Sequence, residues 1–336
     1  MKLDINLLPK KLNDVNYFKK VEGGCEIYSY NSKFQLRNEV VVVSLPGCEI
    51  ENDFCIDNKA IEMLKLLKPE EINITDKSFI IKSSKGKYTG KLINENLFQL
   101  SKENLDSYTN VNLDNLNKAC NFTAKTDKKP QLAGVRVDNN GNIIATDSFT
   151  LYTYNNNHNE YTVDGFTLPV SFIQIVKSLT NETELNVYNN QNIAMVKIDN
   201  VKIYTNLISG AYPDVRKLLD TNQIEKIENT DNQEIIEKVD IASKLTSNVD
   251  DNRTIYIEFS FNKLAAYGDD TFETDINFDC GIENHIRVSN ILLMQALKSI
   301  NGDYDFKIRY DANRKGTMLY LTNENELCLV LGIRSN

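Results

Sequence analysis

Three stretches of this chain carry one pattern at a nearly constant interval. Ile56, Leu168 and Val288 each close a short apolar run; Asp57, Pro169 and Ser289 follow as helix-starting residues. Apolar residues return five and eight positions on, at Ile61 and Leu64, Ile173 and Val176, Leu293 and Ala296. The copies stand 112 and then 120 residues apart, so three similar domains account for all 336 residues. The boundaries fall at 1–104, 105–214 and 215–336, with the polar stretches 101–110 and 217–223 as linkers.

Each domain reads as two helix-plus-strands units. Leu8, Leu12, Val15 and Phe18 have helical spacing over Asn6–Val21, and strands are expected at Glu26–Tyr30, Lys33–Leu36 and Val40–Leu45. Asp57 caps a helix with Ile61, Leu64 and Leu67, and three short strands follow between Glu71 and Leu92. In the second domain Asp114 is the candidate cap of a helix through Leu116 and Ala119, and Pro169 the first residue of a helix through Leu179. Between them Asn140-Gly141 predicts a two-residue hairpin turn with both residues at positive φ. In the third domain Thr230 and Gln233 form a capping box, and Ser289 starts the last helix.

Composition removes several functions. A net charge of -9 excludes a protein that coats nucleic acid over its whole surface, although basic charge gathered on one face remains open. The six cysteines lack any C-x-x-C pair and read as reduced core thiols; His158 and His285 are too few for a zinc site. No apolar run approaches the roughly 20 residues of a membrane span, and MKLDINLLPKK lacks the features of a secretory signal, so a cytoplasmic protein without cofactor is expected. No phosphate-binding loop, dinucleotide fingerprint or nucleophile elbow occurs. DNNGN at 138–142 lacks the late Glu of a calcium loop, and Asp250, Asp251, Asp269 and Asp270 read as solvated loop charge.

Three segments carry a resemblance. In Lys128–Leu151 the residues Pro130, Leu132, Gly134, Val135, Ala145, Thr146, Asp147, Ser148 and Leu151 match a Pro-x-Leu-x-Gly-Val strand leading into Ala-Thr-Asp-Ser. In SGAYPDVRKL the matches are Gly210, Tyr212, Pro213, Asp214 and Arg216, and the chain closes on Leu329-Val330-Leu331-Gly332-Ile333-Arg334. In this order they resemble the bacterial DNA polymerase sliding clamps, the β subunit of DNA polymerase III. The resemblance implies an α+β DNA clamp fold: three similar domains, sheets outside, and helices lining a homodimeric ring around double-stranded DNA. It implies a processivity factor and not an enzyme, docking the polymerase and clamp loader through short linear peptides.

By that resemblance the peptide pocket, between the second and third domains, consists of Leu132, Thr146, Phe149, Leu151, Pro213, Leu218, Val330, Leu331, Ile333 and Arg334. Two positions depart from the family: Thr150 stands where Arg is usual and Gly332 where Pro is usual. The pore would be lined by Lys10, Lys11, Lys19, Lys20, Lys65, Lys118, Lys125, Lys177, Lys238, Lys244 and Lys298, on or at the ends of the expected helices. Such ammonium groups attract phosphates without reading bases. Lys82, Tyr88, Leu92, Leu264 and Phe272 are expected near the ring seam. Two other classes stay open: a phage- or plasmid-type clamp-fold module with altered ring closure, and a hydrolase whose active residues carry no recognisable motif.

Overall fold

The computed structural model describes residues 3–31, 40–94, 100, 105, 107–125, 129–156, 160–219, 224–227, 231–246, 256–267, 271–279, 285–311 and 316–333. In chain order the elements are β1 (Val15–Val21), β2 (Gly24–Tyr30), β3 (Val40–Pro46), β4 (Phe54–Asp57), α1 (Asn58–Leu67), β5 (Glu71–Ile74), β6 (Ser78–Ser83) and β7 (Gly86–Lys91). Then come β8 (Tyr108–Asn112), α2 (Leu113–Ala119), β9 (Gly134–Asp138), β10 (Ile143–Thr146), β11 (Thr150–Tyr154), β12 (Gly165–Pro169), α3 (Val170–Leu179), β13 (Glu184–Asn189), β14 (Ile193–Ile198) and β15 (Val201–Asn206). The rest is α4 (Arg216–Leu219), β16 (Glu225–Lys226), α5 (Asn232–Thr246), β17 (Tyr256–Ser260), β18 (Lys263–Tyr267), β19 (Thr271–Asp275), β20 (Ile286–Ser289), α6 (Asn290–Ser299), β21 (Asp305–Asp311), β22 (Gly316–Thr322) and β23 (Glu326–Leu331). The expected strand Lys33–Leu36 and the residues Thr230, Asp250, Asp251, Asp269 and Asp270 lie outside the described residues. Two compact units emerge: Met1–Cys120 with Thr126–Gly141 and Asp164–Tyr212, and Asn121–Lys125 with Asn142–Val163 and Pro213–Asn336.

In the first unit an antiparallel sheet runs in the order β4-β1-β2-β3-β15-β14-β13-β8. Val40 to Val43 are all buried, and β3 is a central strand, paired along both edges by β2 and by β15. A β-branched run of that kind suits a strand covered on both faces. The first expected helix is corrected here. Only Ile5–Leu7 makes a single 3-10 turn, capped by Asp4, and Val15–Val21 is strand β1. Val15 and Phe18 fit either period, but as a strand all seven residues pair with β2, from Val15↔Tyr30 to Val21↔Gly24, and four more pairs join β4. Two ladders satisfy more backbone than one short Lys-rich helix.

The later helices follow their expected positions, with different caps. Asp57 accepts from the Ala60 amide at 2.8 Å, and α1 buries Ala60, Ile61 and Leu64, the last two at about 2–3 kcal/mol each. For α2 the cap is Asn112, accepting from Asn115 at 3.0 Å, while Asp114 pairs with Lys177 of α3 at 2.5 Å. Pro169 closes β12 and sits at the cap with ψ 142, so α3 begins one residue later than expected. The turn after β9 also differs. Gly141 donates to the Asp138 carbonyl at 3.0 Å, and the left-handed conformation falls on Gly141 (φ 81) and not on Asn140. Asp138 adds a side-chain bond to the Asn140 amide at 2.9 Å, a turn-stabilising contact and not a calcium ligand set.

In the second unit β10-β11-β23-β22-β21-β16 are successive antiparallel neighbours, and a smaller sheet runs β19-β18-β17-β20. Its core stacks Phe259 on Phe278 at 4.5 Å, with Phe306 edge-on to Phe278 at 5.7 Å. Helix α5 is capped by Asp231, which accepts from Gln233 and Glu234. An isolated bridge, Val288↔Gly332, ties the end of the chain to β20.

Candidate functional site

The Ala-Thr-Asp-Ser motif builds the tight loop from β10 to β11 in the second unit. Asp147 Oδ1 accepts from the amides of Phe149 and Thr150 at 2.8 and 2.7 Å and from the Thr150 hydroxyl at 2.9 Å. Thr146 donates its hydroxyl to the Thr150 carbonyl at 2.5 Å and accepts from the Ser148 amide at 3.1 Å; Ser148 itself has φ 82. A side chain fixed by its own loop in this way leaves the next residue little freedom. That residue is Phe149, 63% exposed. Thr150, at the position usual for Arg, is buried and spends its hydroxyl on Asp147.

The chain's last strand meets this loop. Leu331 donates to the Phe149 carbonyl at 2.9 Å, and Thr150↔Val330 and Leu151↔Leu329 are opposite each other. Further across the sheet Leu331 faces Met318, and Met318 faces Arg309. The row Leu151, Leu329, Tyr320 on the same face is fully buried, whereas Leu331 and Met318 are half-buried. The cover over that face therefore ends between the two rows and leaves an apolar step. Gly332 and Ile333 are held beyond it by bonds of 2.7 Å to the carbonyls of Thr317 and Arg287. A Cβ on Gly332 would stand 2.9 Å from the Thr317 oxygen, and its N–H is in use, which is why proline is not accommodated.

Among the expected pocket residues, Phe149 and Leu331 thus come together, with Thr146 bracing the loop, while Ile333, two residues on along the chain, is bonded to Arg287. Leu151 and Val330 are core residues, Leu151 in the neighbouring buried row of that face and Val330 on the opposite face of the sheet. Pro213 is exposed and Leu218 half-buried on the segment entering α4; the Lys217 carbonyl there accepts from Arg309 at 3.5 Å. In that segment Asp214 and Arg216 form a two-bond fork of 2.9 and 2.7 Å, and the hydrogen bonds from Arg216 hold the Asp214 carboxyl down at about 2. Leu132 lies in the first unit, buried in the turn Pro130–Leu132. Just after it Gly134 lets β9 approach β12: a Cβ would meet the Leu168 oxygen at 2.4 Å. Arg334 lies outside the described residues. Sequence reading missed Met318, which no motif marks and only the β22–β23 register places beside Leu331.

The lysines divide. Lys10, Lys11, Lys19 and Lys20 are not on a helix, since the segment is coil and strand, and Lys19 lies over the Tyr28 ring at 5.9 Å. Lys65 on α1 donates to the Pro9 carbonyl, and burial pushes its ammonium down. Lys177 pairs with Asp114, and Lys238 with Glu234 at 2.5 Å and with the Asp275 carbonyl. Lys118, Lys244 and Lys298 stand in the last turns of α2, α5 and α6, the end of a helix that favours cations, and Lys125 is exposed beyond α2. Lys244 bonds Asp240 at 2.6 Å, and that bond, with the Lys298 charge nearby, lowers the Asp240 carboxyl.

The expected seam residues are spread over different strands. Lys82 is on the middle strand β6 and pairs with Glu71 at 2.9 Å, and Leu264 is buried on β18. Tyr88 belongs to β7 and Phe272 to β19; each of these strands is the outer member of its sheet among the described residues. The β7 edge exposes Lys87 and Lys91, and the β19 edge exposes Glu273 and Asp275. Among the described residues no group of three His, Cys, Asp or Glu could hold a metal, and no helix is long and apolar enough to cross a membrane.

No protein-family model matches the sequence, and no curated protein matches it in sequence. Solved structures do match its fold over nearly the whole chain. A putative DNA polymerase III β subunit from Eubacterium rectale is 14% identical, with a TM-score of 0.71 over 100% of this chain and 93% of that one. The DNA polymerase III β subunit of Thermotoga maritima is 16% identical, with a TM-score of 0.71 over 99% and 96%. The Helicobacter pylori β clamp, solved bound to a DNA ligase peptide, is 16% identical with a TM-score of 0.65 over 98% and 96%. The chain has the fold of these clamps.

Proposed function

We propose that this chain, which shares the fold of the bacterial sliding clamps, is itself a sliding clamp. Three domains, 1–104, 105–214 and 215–336, repeat in each of two subunits; the ring encircles duplex DNA and tethers a polymerase beside the primer end. Tethering raises effective concentration without chemistry, so no catalytic group is required. The observation that carries the reading is the match to clamp structures from end to end of the chain. It is supported by two strands of opposite charge that are outermost in their sheets among the described residues, with Lys87 and Lys91 on β7 and Glu273 and Asp275 on β19. Pairing such edges between two copies removes both and aligns opposite charges. Partner peptides, from polymerase and loader alike, anchor an aromatic or aliphatic side chain at Phe149, Leu331, Met318 and Ile333. Lys118, Lys125, Lys177, Lys244 and Lys298 face the phosphates.

Light scattering over a range of concentrations tests closure: a persistent mass near twice 38.4 kDa is expected. Retention on circular DNA and loss on linearisation then tests encirclement. A monomer at every concentration overturns unaided ring closure. One observation favours a second reading, a phage- or plasmid-type clamp-fold module with altered closure: Val15–Val21 is strand β1 where a helix is expected.

A further inference from the structure

The chain holds two Asn-Gly pairs, Asn140-Gly141 and Asn301-Gly302, and the fold treats them differently. Glycine has no Cβ to shield its nitrogen or restrict its φ, so the backbone nitrogen after an asparagine can reach that residue's side-chain carbonyl carbon. At the turn after β9 this nitrogen is occupied: Gly141 donates to the Asp138 carbonyl at 3.0 Å, and Asp138 Oδ1 also holds the Asn140 amide at 2.9 Å. The second pair follows α6, where both residues are exposed and Gly302 has φ 69. Among the described residues no hydrogen bond engages the Gly302 N–H or the Asn301 side chain. Only the backbone of Asn301 is held: its N–H donates to Glu326 Oε2 at 3.2 Å, and its carbonyl accepts from Asn323 Nδ2 at 2.9 Å.

We propose that Asn301 is a site of spontaneous deamidation in the folded chain, with water as the co-reactant and aspartate and isoaspartate as products. The Gly302 nitrogen gives up its proton and attacks the side-chain carbonyl carbon of Asn301. A C–N bond forms, the bond to the side-chain amide nitrogen breaks, and ammonia leaves with the proton, closing a cyclic imide. Water then opens the ring at either carbonyl. Breaking the new bond gives aspartate; breaking the original peptide bond gives isoaspartate, with the chain rerouted through the β-carbon. The net exchange is one water in and one ammonia out, with no change of oxidation state. The consequence falls on Glu326. That carboxylate is 6% exposed and also accepts from the Tyr152 hydroxyl at 2.7 Å, tying β23 to β11. A negative charge on the residue whose N–H binds Glu326 opposes that carboxylate, and the isoaspartate backbone displaces the N–H itself, so the aged chain melts at a lower temperature.

The test incubates the native full chain at mildly alkaline pH and maps peptides over time, with a parallel sample in urea. Trypsin cuts after Lys298 and Lys307, which isolates Asn301 in one short peptide, and fragmentation distinguishes isoaspartate from aspartate. In the native chain Asn301 is expected to convert at least about fivefold faster than Asn140, because closure at Asn140 must first break the bond that holds the Gly141 amide. In urea the two are expected to convert at similar rates. The aged native chain should melt lower than fresh chain, whereas Asn301→Gln, whose extra methylene hinders ring closure, should keep its melting temperature on ageing. Native Asn301 that persists while the urea sample converts, or native Asn140 that converts as fast, overturns the proposal. An unchanged melting temperature in fully converted chain overturns the link to Glu326. Since the wild-type peptide map decides the site, a variant that folds poorly does not affect that outcome.

Discussion

Leu331 donates its backbone N–H to the carbonyl of Phe149 at 2.9 Å, so the last strand of the chain and the tip of a loop more than 180 residues earlier share one ladder. Loop and strand come from two of the three segments that carry the family resemblance. Their meeting gives an exposed aromatic ring beside a half-buried leucine, and the peptide site is proposed on that pair.

Phe149→Ala should leave stability within about 0.5 kcal/mol, since the ring is largely exposed. Leu331→Asp should leave the dimer mass unchanged. Each is expected to weaken a fluorescent Gln- and Leu/Phe-containing clamp-binding peptide by at least about tenfold in an anisotropy titration. Unchanged affinity in both variants would remove the site from this face.

Gly332 answers to its backbone and not to partner chemistry. Gly332→Ala should cost about 1–3 kcal/mol in urea denaturation, because the new Cβ presses on Thr317. Gly332→Pro should cost more, having also lost the bond to the Thr317 carbonyl. A proline variant as stable as the parent would contradict this account of the departure from the family.

At the ring seam the charges on the two open edges make a reciprocal experiment possible. The pair Glu273→Lys and Asp275→Lys should shift the light-scattering mass toward the monomer at low salt. Adding Lys87→Glu and Lys91→Glu to the same chain should restore the dimer, because like charges directly opposite on paired strands repel and opposite ones do not. Failure of the second set to rescue the first would place the seam elsewhere.

Lys244→Glu with Lys298→Glu should reduce retention on circular DNA without altering the dimer mass. The logarithm of DNA affinity should also fall less steeply with the logarithm of salt, by roughly 0.9 per lost phosphate contact. An unchanged salt slope would mean that these helix ends do not face phosphates.

Glu258 is buried among Tyr256, Tyr267, His285 and Arg287. Burial alone would raise its carboxyl, but hydrogen bonds from Arg287 and His285 outweigh it, and the folded-state value lies below the usual 4.5. A lowered folded pKa contributes stability that is present above the unfolded value and lost as pH falls through the folded one. Urea midpoints of the native chain should therefore drop below about pH 4.5, and Glu258→Gln should flatten that part of the profile. At neutral pH the variant should lose only about 1 kcal/mol, because the Arg287 and His285 side chains that face it are substantially exposed.

Much of the architecture was legible because its signals are local. Asp57 as cap, the buried faces of α1, α3 and α6, and the strands Ile193–Ile198 and Val201–Asn206 follow from spacing and residue type. The errors occurred where two local solutions compete. Asn112 and Asp114 are both good caps, and the choice went to Asn112 because Asp114 has Lys177 on the neighbouring helix as a partner. Val15 and Phe18 fit helix and strand alike.

The sequence by itself determined where α1, α3 and α6 lie and the motif that forms the Asp147 loop, since each depends on residues within a few positions of one another. Only the tertiary structure decided that Val15–Val21 is a strand, that Met318 stands beside Leu331, and that Leu151 and Val330 are core. These depend on strand register and on which sheet edges remain open. Register is set by pairing between segments far apart in the chain, and a shift of one residue reverses every face, so no local pattern contains it.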